Sequence, residues 1–323
     1  MEASQEKKFF KPEKKSNLRY FSFDSYLKNT YHEKVAKIVL DAGFTCPNRD
    51  GSLGSDGCFF CANGSGAHPF SSADLLAQYR QSKQSLETKW QFQLTIPYFQ
   101  AFTNTYGPLS KIQACAFPFL ALKEVVGLAF ATRPDCLRDE VIRYLDTLCD
   151  QKDVWLELGL QSIHQSSADA FGRGYPTEVF FQSIEKLKST RLKICVHIIN
   201  GLPGETSEMM MKTAKALAAL PIHAIKIHML HICADSVWGK VYQSLSEEQK
   251  QQQFPLLTLP QYTQIVCDQL EVLPPGLIIE RLTGDGLPGQ LLAPLWTRKK
   301  FVVLNEIQKE LVRRDSFQGK FYG

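Results

Sequence analysis

Between residues 34 and 230 the sequence alternates six times between a short β-rich run and a longer run with apolar residues at helical spacing. This alternation requires a mostly parallel sheet, because each crossover from strand to helix to strand is right-handed and returns beside the preceding strand. A closed barrel of this kind has eight units. Six units therefore predict an α/β fold, a partial (β/α)6 TIM-like barrel that stays open on one side.

The element pattern also predicts the domain organisation. Strands are expected at 34–41, 92–102, 125–132, 154–161, 192–199 and 224–230, with helices at 71–88, 109–122, 136–150, 177–190 and 207–220. The alternation stops near residue 232; beyond it we expect a loop with a short polar helix at 236–260, helices at 261–273 and 297–314, and a strand at 276–282. We therefore divide the chain into a disordered basic arm (1–18), the barrel (19–232) and a C-terminal α/β extension (233–323) that covers the barrel and the substrate site.

Composition indicates the compartment and leaves the partner open. Nine cysteines without a paired framework are typical of a reducing environment. No apolar run approaches the roughly 18 residues of a membrane span, and the first residues lack the apolar core of a secretory signal. We therefore expect a cytoplasmic protein without a membrane partner. The net charge of +4 permits an acidic partner such as RNA, and the basic arm is either solvated or in contact with phosphates.

Three cysteines, Cys46, Cys58 and Cys61, follow the first predicted strand in a polar, glycine-rich loop. Glycine accepts positive φ without a steric cost, so such a loop can turn several thiolates towards one centre. Three thiolates can hold three irons of a 4Fe–4S cluster and leave the fourth iron open to a small molecule. The alternative is zinc, which usually takes four ligands and would need a fourth such as His68. The other cysteines lie in apolar or helical stretches and are expected to be small core residues: Cys115, Cys136, Cys149, Cys195, Cys233 and Cys267.

Polar residues also follow the other strands, where open parallel sheets bind their ligands. Thr103 and Asn104 follow the second strand, and Thr132 ends the third. Glu157 and Gln161 share one face of the fourth strand by period-two alternation. A buried glutamate is costly unless it is paired, so Glu157 predicts either a cofactor contact or a structural ion pair.

The fifth strand leads into His197-Ile-Ile-Asn-Gly201-Leu-Pro-Gly204, whose glycines allow the backbone to approach a flat or phosphorylated ligand. A simple turn explains the two glycines equally well. His197, His228 and His231 lie near strand ends, where each is either a substrate contact or a hydrogen-bonded core histidine.

Arg281 and Asp285 close the strand of the extension among flexible glycines. They are candidate catalytic residues, with a structural ion pair between them as the alternative. The cations of the last helix either contact nucleic acid or form a solvated face: Arg298, Lys299, Lys300, Arg313 and Arg314.

Several segments together resemble the YtqA/YhcC family of the radical S-adenosylmethionine (SAM) superfamily, from about residue 19 to about residue 314. They are LDAGFTCPNRDG, FQAFTNTYGP, ATRPDCL, LELGLQSIH, INGLPGE, LPPGLIIERLTGDG and residues 294–305. Most members of the superfamily have Cys-x3-Cys-x2-Cys with an aromatic residue before the last cysteine. Phe60 keeps that aromatic residue, whereas the first spacing here is x11, a lengthening that also occurs in relatives of the Elongator catalytic subunit.

The resemblance implies a radical SAM barrel in which Cys46, Cys58 and Cys61 hold a 4Fe–4S cluster whose open iron chelates SAM. Thr103 and Asn104 stand where many members carry a Gly-Gly-Glu run that meets the methionine amine, and this sequence lacks that run. Gln161 and Arg173 match positions that hold the SAM carboxylate or ribose. His197 and Gly201 match positions that line the adenosine.

The resemblance further implies a tRNA-modifying enzyme that converts 5-carboxymethylaminomethyl-(2-thio)uridine to the 5-aminomethyl form at the wobble position. Arg281 would grip the substrate carboxylate, because a guanidinium matches it bidentately, and Asp285 would meet the side-arm amine. The implied partners are the tRNA anticodon loop and a one-electron reductant such as flavodoxin or ferredoxin. The rival hypotheses are a radical SAM enzyme with another substrate and a non-catalytic metal-cluster module.

Overall fold

The computed structural model of the chain describes residues 18–62, 72–284, 286 and 289–323. Its strands are β1 (Val35–Leu40), β2 (Leu94–Phe99), β3 (Gly127–Thr132), β4 (Asp153–Gln161), β5 (Lys193–Asn200), β6 (Ala224–Met229), β7 (Ile232–Cys233), β8 (Ile278–Arg281) and β9 (Leu291–Ala293). Its helices are α1 (Phe23–Tyr31), α2 (Leu75–Glu87), α3 (Leu109–Leu120), α4 (Asp139–Leu148), α5 (Gln165–Ala170), α6 (Thr177–Leu187), α7 (Ser207–Ala218), α8 (Val237–Ser244), α9 (Glu247–Gln253), α10 (Leu259–Val272) and α11 (Lys300–Arg313). Across the described ranges, no helix combines the length and apolarity needed to cross a membrane.

Three expectations fall outside the described residues. They concern the basic arm up to residue 17, His68 as a zinc ligand, and Asp285 as a catalytic residue.

Seven parallel strands form one curled sheet in the order β1-β2-β3-β4-β5-β6-β8. The strands pair side by side as the alternation requires; Val35 lies opposite Leu94 at one end of β1 and Leu40 opposite Phe99 at the other. β1 and β8 are the two edges, so among the described residues no backbone ladder closes the barrel. The predicted α/β partial barrel is confirmed. β7 and β9 form a separate antiparallel pair.

The seventh strand, β8, comes from the predicted C-terminal extension. Its Ile278 and Ile279 pair with Ala224 and Ile225 of β6. A hydrophobic strand at the edge of a sheet leaves unpaired backbone groups, and β8 covers this edge of β6. The expectation of six strands is therefore extended to seven, and the sheet crosses the boundary that we predicted at residue 232.

The convex face of the sheet carries the main apolar core. Leu156, Leu158 and Leu160 of β4 are fully buried beneath the surrounding helices, and Phe180 and Ile184 of α6 pack into the same core. Each such side chain contributes about 1.5–3 kcal/mol through burial. The helices therefore cover the convex face, and the concave face is the one left for ligands.

Helix α1 closes the amino end of the concave face. Phe23 and Tyr26 set their ring edges against Trp155, with centroids 5.5 and 5.7 Å apart, and Leu27 is buried beside them. A ligand must therefore enter at the other end, where the strands have their carboxyl termini. We call this carboxyl-end opening the mouth.

The helices differ from the sequence prediction in two places, each for a simple reason. Helix α5 was missed because its six residues are too few to show a helical period. The segment at 236–260, expected to be mostly loop, holds both α8 and α9, which begin after Ser236 and Ser246. Each serine accepts a hydrogen bond from a backbone N–H of the first turn, the usual N-cap of a helix.

We expect Leu27→Ala to lower the free energy of unfolding by about 2–5 kcal/mol, because it opens a cavity between α1 and the concave face. Urea unfolding followed by far-UV circular dichroism measures the change. The matched control is Leu295→Ala, since Leu295 is 55% exposed and should change stability little. Equal effects of the two substitutions would contradict the conclusion that α1 packs against the concave face and closes its amino end.

Candidate active site at the mouth of the barrel

The cysteine loop leaves β1 and folds back on itself at the mouth. The Cys46 carbonyl accepts a hydrogen bond from the Arg49 N–H at 2.8 Å, and the Cys58 carbonyl accepts one from the Cys61 N–H at 2.7 Å. Between these turns Gly57 has φ +79°, which a residue with a Cβ adopts only with strain. The backbone therefore brings the three cysteines back towards one another.

Asn48 fastens this loop to the segment that follows α5. Its Nδ2 donates to the carbonyls of Gly172 and Arg173 at 2.7 and 3.0 Å and lies 3.5 Å from Cys58 Sγ. A Cβ at Gly174 would come within 2.7 Å of Asn48 Oδ1, so this close approach requires glycine. Asn48 therefore holds the position of Cys58, a candidate cluster ligand, a role to which no sequence pattern pointed.

Aromatic packing holds the other end of the loop. The Phe59 N–H donates to Phe171, and the Phe59 carbonyl accepts from the Trp238 N–H, both at 2.8 Å. The Phe60 ring lies 5.3 Å from that of Phe171 and 6.3 Å from that of Trp238. Because Trp238 lies in α8, the extension supports the cysteine loop.

The three sulfurs lie within electrostatic reach of one another. Burial and the neighbouring Cys61 and Cys46 thiolates together raise the pKa of Cys58 to about 12, against the opposing effect of Arg133. Arg133 Nη1 lies 3.9 Å from Cys46 Sγ, and the same guanidinium forms a bidentate pair with Asp135 at 2.8 and 2.9 Å. A cation at this place favours the thiolate forms that bind iron.

This donor set fits a 4Fe–4S cluster. Three thiols converge from one loop, with an amide and a guanidinium beside two of the sulfurs. In the ranges that the structure describes, no three His, Cys, Asp or Glu side chains are arranged for a single metal ion. A cluster is held by separate irons, so its thiolates need not meet at one ion.

Thr103 and Asn104 lie beside the cysteine loop in a buried turn. The Thr103 N–H donates to the Thr45 carbonyl at 3.2 Å. Asn104 Nδ2 donates to three backbone carbonyls, whereas its Oδ1 is buried without a partner among the described residues. Thr132 is also buried, with its Oγ1 2.5 Å from that of Thr105. Asn104 thus offers one free acceptor in the turn where the contact with the SAM amine is predicted.

Gln161 and Arg173 follow the fourth strand, in different surroundings. Gln161 has φ +65° and sits in a register shift between β4 and β5, and a Cβ at Gly159 would come within 2.9 Å of its Nε2. Arg173 is buried and donates to the Leu160, Ser162 and Tyr175 carbonyls and to Thr177 and Gln165.

These five bonds use all the N–H groups of the Arg173 guanidinium. The expectation of a direct cofactor contact is therefore corrected. Arg173 instead holds the segment to which Asn48 is bonded.

A layer of buried charges crosses the middle of the barrel. Glu157 of β4 pairs with Lys37 of β1 and Lys226 of β6, and Glu280 of β8 pairs with the same two lysines at 2.5 and 3.1 Å. The lysines hold the pKa of Glu157 well below its usual range despite burial. The expectation of a cofactor contact at Glu157 is thereby corrected, because both of its oxygens are bonded to protein and the structural ion pair is what forms.

His197 lies on the mouth side of this charge layer. Its Nε2 is 2.8 Å from Glu157 Oε2, and burial together with Lys226 lowers its pKa, so the ring is neutral. Gly201 has φ +83° and packs against Leu257, where a Cβ would lie 3.1 Å from Cδ1. Arg281 ends β8 opposite Lys226. The structure thus places these candidates around the mouth, and their cofactor and substrate contacts stay predictions.

Comparison with known proteins assigns the class. The Radical SAM superfamily domain matches residues 46–217, and the Radical_SAM C-terminal domain matches residues 222–313. The chain belongs to the radical SAM superfamily, whose members use a 4Fe–4S cluster and SAM and need an external electron donor. It is a radical SAM enzyme.

The relatives narrow this class. The chain is 41% identical to YtqA of Bacillus subtilis (strain 168) over 313 residues, covering 96% of this chain and 95% of YtqA. This match confirms the resemblance to the YtqA family. A stretch of 96 residues, 30% of this chain, is 31% identical to 17% of the tRNA uridine(34) acetyltransferase of Methanocaldococcus infernus. The structure of Methanocaldococcus infernus Elp3 with an N-terminal deletion has the same fold, with a TM-score of 0.60, 16% identity and coverage of 88% of this chain and 64% of that one.

We expect Cys46→Ser, Cys58→Ser and Cys61→Ser each to abolish the cluster, because the loss of one thiolate leaves an iron without its protein ligand. After anaerobic reconstitution, iron should fall from about four atoms per chain to a small residue, with loss of the visible absorbance. Cys149→Ser, outside the loop, should keep the iron. Full iron in any of the three loop variants would contradict the assignment.

We expect Lys226→Met to lower the free energy of unfolding at pH 7 by about 3–5 kcal/mol, because two buried carboxylates would share one lysine. The pH dependence should also reverse. In the wild type the depressed pKa of Glu157 makes acid destabilising, whereas in the variant protonation of an unpaired carboxylate relieves the cost as the pH falls.

Urea unfolding of iron-free protein between pH 7 and about pH 4 tests this reversal, because the wild type loses the contribution of Glu157 only below the ordinary glutamate pKa of 4.5. The matched control is the double variant Lys226→Met/Glu280→Gln, which removes the excess carboxylate and should recover most of the loss. Additive losses in the double variant would show that the four groups do not form one layer.

Proposed function

We propose that the protein converts 5-carboxymethylaminomethyl-(2-thio)uridine to 5-aminomethyl-(2-thio)uridine at the wobble position of tRNA. The observation that carries the proposal is the similarity to YtqA over 96% of the chain, because the resemblance to that family implies a wobble-uridine enzyme. The partial match to a tRNA uridine(34) acetyltransferase supports a substrate of the same class.

The architecture suits a nucleotide taken out of its stack. α1 closes the amino end of the barrel, so the base must enter through the mouth, which an unstacked base of a loop can do. Arg298 and Lys299 are exposed just before α11, where they can contact the phosphates of the anticodon loop. Arg313 and Arg314, by contrast, are paired with Glu310 and are poorer candidates for this contact.

When bound, the cluster and SAM supply the one-electron chemistry that removes hydrogen from an unactivated C–H bond. Arg281 is the proposed grip on the side-arm carboxylate, and Asp285 is the proposed contact of the amine. The carboxymethyl carbon is oxidised by two electrons at the expense of SAM and takes up water. The C–N bond then breaks, the nitrogen keeps its electron pair and gains a proton, and a two-carbon oxo acid leaves.

The proposed reaction needs an electron donor and a reducing environment. We propose flavodoxin or ferredoxin as the one-electron donor and the cytoplasm as the location. All nine cysteines are free of disulfides, which fits a reducing compartment.

Nucleoside analysis of total tRNA from a strain that lacks the gene tests the function. We expect the 5-carboxymethylaminomethyl form to accumulate and the 5-aminomethyl form to disappear. Restoring the wild-type gene should reverse this change, whereas the Cys58→Ser gene should not. Unchanged wobble uridines would refute the tRNA substrate, and formation of 5′-deoxyadenosine by the purified protein with SAM and dithionite would still support the enzyme class.

A further inference from the structure

A buried arginine at the mouth faces one of the cluster cysteines. Arg133 follows β3 and is only 7% exposed. Its Nη1 lies 3.9 Å from Cys46 Sγ, while its Nε and Nη2 donate to the Asp135 carboxylate at 2.9 and 2.8 Å. Within the part of the chain that the structure describes, Nη1 has no other hydrogen-bond partner. The guanidinium therefore bridges a carboxylate and a candidate ligand sulfur.

The planar shape of the guanidinium fixes the order of these three groups. Nε and Nη2 form one edge of the plane, and Asp135 occupies that edge. Nη1 projects from the other side, so its N–H groups point away from the carboxylate and towards Cys46. The cation thus lies between the sulfur and the anion that balances it. Because the Coulomb energy falls with distance, the nearer positive charge has the larger effect at Cys46.

Packing keeps the guanidinium in this orientation. It lies over the ring of Tyr175, with Cζ 5.0 Å from the ring centroid, and the Tyr175 hydroxyl donates to the Gly159 carbonyl of β4 at 2.6 Å. The next residue in the chain, Pro134, accepts a hydrogen bond at its carbonyl from Ser183 Oγ of α6 at 3.0 Å. Contacts with β4 and α6 therefore hold the cation beside the sulfur before any cofactor binds.

Asn48 cannot act on Cys58 in the same way. Its Nδ2 carries two hydrogens, which the carbonyls of Gly172 and Arg173 accept at 2.7 and 3.0 Å. Its approach to Cys58 Sγ at 3.5 Å is therefore shared with these two shorter bonds. Arg133, by contrast, also lowers the pKa of Cys58 through its charge. Arg133 therefore places positive charge beside the sulfurs of both Cys46 and Cys58.

We propose that the Arg133–Asp135 pair sets the reduction potential of the cluster, with Arg133 raising the potential and Asp135 limiting that rise. The external donor is oxidised by one electron and the cluster is reduced, so the negative charge on the cluster and its thiolates increases by one. A cation beside a ligand sulfur stabilises this reduced form, because charge and hydrogen bonds near the sulfurs set the potential of an iron–sulfur cluster. Every substrate of this enzyme class requires the same electron, so the role of Arg133 does not depend on the wobble uridine.

Removing each charge separately should move the potential in opposite directions. The cluster-loaded chain without SAM is titrated electrochemically, and electron paramagnetic resonance measures the reduced cluster at each potential. Arg133→Leu removes the cation and leaves the carboxylate, so we expect the equilibrium constant for reduction to fall roughly tenfold or more, a shift of about 59 mV or more for one electron. Asp135→Asn removes the anion and keeps the guanidinium, so the potential should rise.

The matched control is Arg191→Leu, which removes an arginine that is also paired with aspartates, Asp146 and Asp150. Arg191 is exposed and lies just before β5, at the amino end of the barrel and away from the mouth. This variant changes the net charge as Arg133→Leu does and should keep the wild-type potential. Iron and sulfide analysis of each variant measures how much cluster is bound.

A merely structural role for the pair predicts a different pattern. Arg133→Leu and Asp135→Asn would then both lose iron, and any cluster that remained would keep the wild-type potential. The proposal is overturned by that pattern, by a wild-type potential in fully loaded Arg133→Leu, or by an Asp135→Asn potential that does not rise. If Arg133→Leu alone fails to bind the cluster, the potential of Asp135→Asn decides: a rise supports the proposal, and no rise refutes it.

Discussion

The ion pair between Lys37 and Glu280 joins the two edges of the open sheet. These residues are 243 positions apart in the chain and lie on β1 and β8, which share no backbone ladder. Glu157 and Lys226 complete the layer, so two positive and two negative charges balance inside the barrel. Burying such charges is costly, and only mutual pairing makes the arrangement tolerable. The half-barrel is thus closed by side chains where it is not closed by hydrogen-bonded strands.

This closure positions the chemistry at the mouth. His197 is oriented by Glu157, and His228 lies beside it on the side away from the plug made by α1. The cysteine loop is held independently, by Asn48 on the segment after α5 and by Trp238 from the extension. The site is therefore assembled from three separate parts of the chain: the loop after β1, the segment after α5 and helix α8 of the C-terminal extension.

The sequence predicted well what depends on neighbours along the chain. Strand β4 is a run of leucines alternating with other residues, and the cysteine loop carries its three candidate ligands within sixteen positions, Cys46 to Cys61. The partners of Glu157 could not be predicted, since Lys37 and Lys226 are 120 and 69 residues away and only the sheet register unites them. The use of Arg173 within the protein was hidden for a different reason: its acceptors lie within 13 residues along the chain, but four of the five are three backbone carbonyls and one hydroxyl, whose positions only the folded segment sets.

Because β8 carries Glu280 into the sheet, the C-terminal part of the chain cannot be exchanged independently of the barrel. A chimera that joins this barrel to the C-terminal part of a relative would replace the edge strand β8. It would also replace Glu280, one partner of the ion pair that joins β8 to β1. Such an exchange could succeed only if the donor supplied an acid at the equivalent place and a strand of matching register. A change in β8 that alters the mouth of the barrel would therefore also alter the stability of the sheet.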